Sequence, residues 1–197
     1  MENLLTLIAV SLPLMGTPGP VTLASAAAGA AYGSRAATLY VACMTLGTFT
    51  VISLVATGLT GLVLAVPGIA PVLAIGAGLY VLYLAWKIAT APPLDETRAG
   101  AHPPALWGGY AMAIMNPKAY AAFVAIFSGY PLVEGHPLWS TVLKVAFLAA
   151  LALTVNLTWM VLGSSLSACL SSPIASRRLN VAFAVLLIVS VPLSLWR

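Results

Sequence analysis

The chain of 197 residues is 61% hydrophobic and 6% charged, with a mean hydropathy of +1.05. A typical soluble domain carries about 25% charged residues, so this composition excludes a soluble globular domain and predicts a polytopic membrane protein in a lipid bilayer. The net charge of +4 comes from dispersed lysines and arginines. Nucleic-acid binding requires clustered basic side chains, so nucleic acid is excluded as a partner.

Six apolar segments follow one another along the chain, each long enough for the about 20 residues that cross a bilayer. They predict an all-α protein that crosses the membrane six times as a single integral membrane domain. The sequence "APPLDETRAGAHPP", residues 91–104, is the polar linker between the third and fourth segments. The segments cover approximately residues 3–31, 36–66, 69–90, 105–129, 139–170 and 179–196.

The first segment is interpreted as a retained membrane helix. Its start, "MENLL", lacks the basic residues of a signal peptide, and the apolar stretch continues past Pro20 to about Ala31.

The distribution of basic residues predicts the orientation in the membrane, because lysine and arginine concentrate in cytoplasmic loops. The loops after the first, third and fifth segments share one side, and we assign to them Arg35, Lys87, Arg98, Arg177 and Arg178. The side that holds both termini has Lys144 and Arg197. We therefore expect both termini to be periplasmic.

Two segments are interrupted at matching positions. The first contains "GTPGPVTL" and the fourth contains "MNPKAY", and Pro117 lies 99 residues after Pro18. The chain therefore divides into two three-segment halves, residues 1–90 and 105–197, and an odd number of segments makes the halves inverted repeats. One break alone is explained better by a plain proline kink. Matched breaks indicate a binding site, because half-helix N-termini suit a carboxylate.

Lys118 is the charged residue placed deepest in an apolar context. A lysine within a membrane helix is costly and marks a pathway or a pair. No acidic residue lies inside the six segments, so we expect a substrate carboxylate or freed backbone carbonyls beside Lys118. The alternative is that the fourth segment starts at Pro117, with Lys118 at the membrane interface.

Three further polar residues are candidates for the same site. Asn156 lies within the fifth segment, although such an asparagine usually bonds to a neighbouring helix. Tyr80 and Tyr83 share one face of the third segment and fit either cavity lining or helix packing.

Gly29 and Gly33 form a small-xxx-small pair, which is typical of close helix packing. Cys43 and Cys169 are isolated in apolar segments, so we expect buried thiols and no metal site.

The motifs "TPGPVTL", "GLYVLYLAWK" and "MNPKAYAAF", in this order and spacing, resemble those of the LysE/RhtB family of amino-acid exporters. The resemblance covers essentially the whole chain. It implies a bacterial inner-membrane exporter of amino acids or related metabolites, driven by the proton gradient. With Lys118, the fourth-segment motif resembles the variant found in the family's branch for neutral amino acids and homoserine. The last segment departs from many relatives in lacking glycines and in containing Pro192, which affects expectations about helix packing and oligomer contacts.

We therefore expect a secondary transporter that exports a small neutral or zwitterionic amino acid, or a derivative, by alternating access. No catalytic residue, metal or cofactor is assigned. The alternative functions are a metal-ion or other small-metabolite exporter of the same superfamily, an intramembrane enzyme and a membrane scaffold. The sequence is also compatible with a homo-oligomer. The candidate substrate-binding residues are Thr17, Pro18, Gly19, Pro20, Tyr80, Tyr83, Asn116, Pro117, Lys118 and Asn156.

Overall fold

The computed structural model describes residues 2–58, 68–90, 105–128, 131–168 and 172–195. Every regular element in these ranges is a helix, which confirms the predicted all-α class. The predicted linker over residues 91–104 and Cys169 lie outside the described residues. The helices in chain order are α1 (Glu2–Gly16), α2 (Pro20–Ala56), α3 (Ile69–Ala89), α4 (Leu106–Ile114), α5 (Pro117–Phe127), α6 (Pro137–Ala168) and α7 (Pro173–Leu195).

The composition and length of the helices fit a polytopic membrane protein. Helices α2 and α6, of 37 and 32 residues, are each long and apolar enough to cross a membrane. Helices α4 and α5 meet the same criteria as a pair, which is bent by 52° at the break between them. Large apolar side chains such as Ile75, Leu79 and Trp139 are more than half exposed. Apolar side chains on the outside of the protein are suited to contact with lipid.

One predicted helix boundary is present as a kink, and another differs from the prediction. Within the expected loop between residues 31 and 36, two helical stretches of α2 meet at Gly33, where the backbone is not helical and φ is +77°. Glycine adopts this conformation without a Cβ clash, so Gly33 forms the kink. Helix α7 begins at Pro173 and therefore includes Arg177 and Arg178, which were expected in a loop. Proline is favoured in the first turn of a helix because its missing N–H needs no partner there.

Both predicted breaks are present. Helix α1 ends at Gly16 and α2 begins at Pro20, and the intervening chain is extended at Gly19. Helix α4 ends at Ile114 and α5 begins at Pro117. A proline in the first turn terminates the preceding helix, because its ring clashes with the carbonyl one turn back.

Helices α2 and α6 pack closely enough that their backbones touch. A Cβ atom at Gly29 would overlap the carbonyl oxygen of Met160, and a Cβ atom at Gly163 would overlap that of Ala26. Small residues let membrane helices approach this closely and gain van der Waals contact. The α2–α6 contact therefore fixes the centre of the fold at the level of Gly29 and Gly163.

The substitution Gly163→Ala should destabilise the protein, because its new methyl group overlaps the α2 backbone. Overpacking of this kind costs about 1–3 kcal/mol. Gly78→Ala is the matched control, since a Cβ atom there meets nothing within 4 Å. Thermal unfolding of the purified protein in detergent should show a lower midpoint for Gly163→Ala and no decrease for Gly78→Ala. Equal midpoints for the two variants would contradict the described packing.

Candidate functional site

The two helix breaks meet through Lys118. Its ammonium group donates hydrogen bonds to the Thr17 carbonyl oxygen at 2.8 Å and to Thr17 Oγ1 at 3.0 Å, and it lies 3.5 Å from the Pro18 carbonyl oxygen. These carbonyls belong to the chain between α1 and α2, where the helix ladder is interrupted. The structure therefore places backbone carbonyls beside Lys118, which is one of the two partners expected from the sequence.

The absence of a side chain at Gly19 accommodates the close approach of Lys118. A Cβ atom at position 19 would lie 2.9 Å from Cδ and 3.0 Å from Nζ of Lys118. Both distances are shorter than ordinary van der Waals contact. The absence of a side chain at Gly19 therefore leaves the room that the lysine needs to reach Thr17.

The N-termini of α2 and α5 lie beside each other, where the two helix breaks meet. At the start of α2, the Gly19 N–H donates to Thr22 Oγ1 at 2.9 Å. At the start of α5, the Asn116 side chain accepts a hydrogen bond from the Lys118 backbone N–H at 3.2 Å. Helix N-termini carry partial positive charge and N–H groups without intrahelical partners. Together with the Lys118 ammonium group, they make this region favourable for an anionic group.

A cavity of about 50 Å³ lies against both breaks. A single water molecule needs roughly 10–15 Å³ on this measure, so the cavity admits a small molecule or a few waters. Its polar lining residues are Gly19, Thr22, Thr48, Asn116, Lys118 and Asn156. Its apolar lining residues are Leu14, Met15, Val21, Ala119, Ala122, Phe123, Ala152 and Val155.

Asn156 lies in the cavity wall and is 3% exposed. Its Nδ2 atom donates to Thr45 Oγ1 at 3.0 Å, which joins α6 to the second part of α2. The structure therefore combines the two roles that the sequence left open for Asn156, because one residue lines the cavity and also bonds to a neighbouring helix.

The structure does not bring the two candidate tyrosines to the cavity. The Tyr80 hydroxyl lies 3.1 Å from the Tyr40 hydroxyl, and Tyr80 packs against Gly108. Tyr83 is 42% exposed, and Lys87 Nζ lies 6.0 Å from the centre of its ring. Neither tyrosine is among the lining residues. Helix packing, the alternative considered for both tyrosines, describes the position of Tyr80, whereas Tyr83 lies at an exposed position.

Lys144 lies near the start of the fifth predicted segment, and the sequence analysis counted it only with the basic residues of the side that holds both termini. It lies in α6 and is 4% exposed, whereas Lys118 is only partly buried. Its ammonium group is 3.4 Å from the Ile126 carbonyl oxygen and 5.7 Å from the centre of the Phe127 ring. Both residues are at the C-terminal end of α5, where a cation interacts favourably with the helix dipole. The burial of Lys144 within the protein was therefore not expected from the sequence.

Three further residues at the site were not predicted from the sequence. Thr22 and Thr48 line the cavity, and the Trp159 indole N–H donates to the Gly16 carbonyl oxygen at 3.2 Å. Thr22 had a detectable signal, since it follows the first break by one helical turn. The other two contacts depend on tertiary packing and have no local signal.

The Asn116 cap gives a test that is independent of ligand binding. Asn116→Ala removes the acceptor for the Lys118 N–H and should lower the free energy of unfolding by about 1 kcal/mol. Asn116→Ser keeps a capping oxygen and should recover most of this loss. Thermal unfolding in detergent measures both. Equal destabilisation by alanine and serine would show that the cap contributes nothing.

Comparison with known proteins supports one family along almost the whole chain. The LysE type translocator family matches residues 12–193. The chain is 32% identical to the cysteine/O-acetylserine efflux protein of Salmonella choleraesuis (strain SC-B67), over 174 residues and 87% of each chain. It is 30% identical to the protein of the same name from Escherichia coli (strain K12), with the same coverage. No solved structure matches the chain.

These matches confirm the resemblance inferred from the motifs, and they indicate a membrane transporter and not an enzyme. The match over residues 12–193 includes both helix breaks and the residues that line the cavity. The chain belongs to the LysE type translocator family.

Proposed function

We propose that the protein exports a small neutral amino acid or amino-acid derivative across the bacterial inner membrane, using the proton gradient. The efflux proteins to which it is similar are named for cysteine and O-acetylserine, and both are small molecules with an α-carboxylate and an α-ammonium group. The observation that carries the proposal is the position of the Lys118 ammonium group, which contacts the first helix break and lines the cavity.

The substrate carboxylate binds beside Lys118, at the N-termini of α2 and α5. A hydrogen bond to a charged group contributes about 1.5–3 kcal/mol, and the two helix dipoles favour a negative charge at the same point. The Thr17 carbonyl oxygen accepts from Lys118 and holds its ammonium group in place. This arrangement recognises the carboxylate of a small amino acid.

The charge of the cavity disfavours substrates with a cationic side chain. Among the described residues that line it, Lys118 is the charged one and none carries a carboxylate. A lysine-like or arginine-like side chain would therefore gain no opposite charge there and would face a like charge, which is costly at low dielectric. Neutral side chains avoid this cost.

The proposed architecture has six membrane spans in two inverted repeats, residues 1–90 and 105–197. Two features support it: a broken helix occurs at the corresponding place in each half, and the two breaks contact each other. Matched broken helices of this kind hold the substrate in inverted-repeat transporters, where one half rocks against the other. Both termini are proposed to be periplasmic.

Transport can be measured in everted membrane vesicles with radiolabelled O-acetyl-L-serine and L-cysteine under reducing conditions. An acidic vesicle interior should drive uptake by the unsubstituted protein, and a protonophore should abolish it. Lys118→Ala should lower the initial rate at least about 10-fold, as the loss of one charge-assisted hydrogen bond implies. Lys87→Ala, which removes a lysine distant from the cavity lining, should retain at least half of the rate.

The vesicle experiment separates two outcomes. If a panel of neutral amino acids shows no gradient-dependent uptake, the exporter assignment is wrong. If uptake is present and Lys118→Ala leaves it unchanged, the proposed role of Lys118 is wrong, and the assignment as an exporter stands.

Cysteine labelling tests the orientation. In a background with Cys43→Ala and Cys169→Ala, single cysteines replace Glu134 and Ser172, both of which are exposed. A membrane-impermeant maleimide should label Glu134→Cys in spheroplasts and Ser172→Cys only in everted vesicles, because the proposed topology puts them on opposite sides. The reverse pattern would invert the topology, and labelling of both from one side would contradict an odd number of spans between them.

A further inference from the structure

We infer that Ala122, Phe123 and Ala152 set the size of the substrate side chain that this transporter accepts. The inference rests on the proposed function, because it assumes that the substrate carboxylate lies beside Lys118. One part of the cavity receives the substrate side chain, and these three residues limit the length of that side chain.

The cavity has a polar part and an apolar part, as the directions of α5 and α6 show. Helix α5 starts at the break, where Asn116 and Lys118 lie, and ends beside the early turns of α6, where Lys144 approaches Ile126. The two helices therefore run in opposite directions along this wall. On α6, Ala152 precedes Asn156 by one helical turn, and both residues line the cavity.

Residues of the apolar lining come from both helices. Ala122 and Phe123 follow Lys118 by about one turn of α5, and Ala152 lies between Lys144 and Asn156 on α6. All three line the cavity, and they are 7%, 2% and 3% exposed, respectively. A carboxylate at Lys118 directs the rest of a small amino acid toward these residues.

The size limit follows from close packing. Protein interiors leave little unfilled space, so a cavity beside two alanines exists because their side chains are short. Phe123 closes the same part of the cavity with a large buried ring that packs with Leu148 and Ile126. A longer residue at Ala122 or Ala152 fills the space for the substrate side chain, and a shorter residue at Phe123 enlarges it.

The test is counterflow in proteoliposomes that contain the purified protein, with labelled O-acetyl-L-serine and L-leucine as probes. Phe123→Ala should raise the rate for leucine relative to O-acetylserine at least about 10-fold, since one or two methylene groups in an apolar pocket discriminate by about that factor. Ala152→Leu should lower the rate for O-acetylserine at least about 10-fold.

Matched controls come from neighbouring residues that are exposed on the same helices. Ala121→Leu on α5 and Ala150→Leu on α6 add the same side chain at exposed positions outside the cavity lining. Both should keep the rates and the leucine preference of the unsubstituted protein within about twofold. If Phe123→Ala does not fold, Phe123→Leu and Ala122→Gly enlarge the same space with a smaller loss of packing.

The outcomes distinguish this inference from the proposed function. No counterflow of any amino acid by the unsubstituted protein overturns the proposed function and, with it, the inference. Counterflow by the unsubstituted protein, together with an unchanged leucine preference in every folded enlarging variant, overturns the inference alone. A loss of rate in Ala150→Leu equal to that in Ala152→Leu also overturns it, since the effect would then not come from the cavity.

Discussion

The structure depends on one constraint, the need to satisfy backbone polar groups where helices are interrupted in apolar surroundings. An unpaired peptide group in hydrocarbon costs several kcal/mol. Here the interruption between α1 and α2 is satisfied from the other break, because Lys118 donates to Thr17. The two breaks therefore stabilise each other, and the site exists because each break supplies what the other lacks.

The contact between α2 and α6 limits how the molecule can move. Gly29 and Gly163 let these two helices touch through their backbones, and α2 and α6 belong to different proposed repeats. The two proposed repeats are therefore held together by backbone contact near Gly29 and Gly163. Helix α1 instead contacts α5 and α6, with the Trp159 hydrogen bond at its end.

The sequence predicted the features that local chemistry determines. Pro20 and Pro117 start helices because proline fits the first turn of a helix and not its interior. Freed carbonyls beside Lys118 were one of the two expected partners, because a lysine in an apolar segment needs a polar group near it. Lys144 could not be placed in this way, since its burial depends on where α5 ends in space. Tyr80 likewise depends on its contact with Tyr40, 40 residues away in the chain. Local pattern identified the breaks, whereas packing determined the cavity wall.

The charges around α5 explain why the site favours an anion. Lys144 lies at the C-terminal end of the helix, where its charge and the dipole attract. Lys118 lies in the first turn, where its charge and the dipole repel, and the carbonyls beyond the C-terminus of α1 offset this repulsion. A carboxylate beside Lys118 interacts favourably with the ammonium group and with the N-termini of α2 and α5 together. Binding of the proposed substrate therefore relieves a repulsion that the fold itself creates.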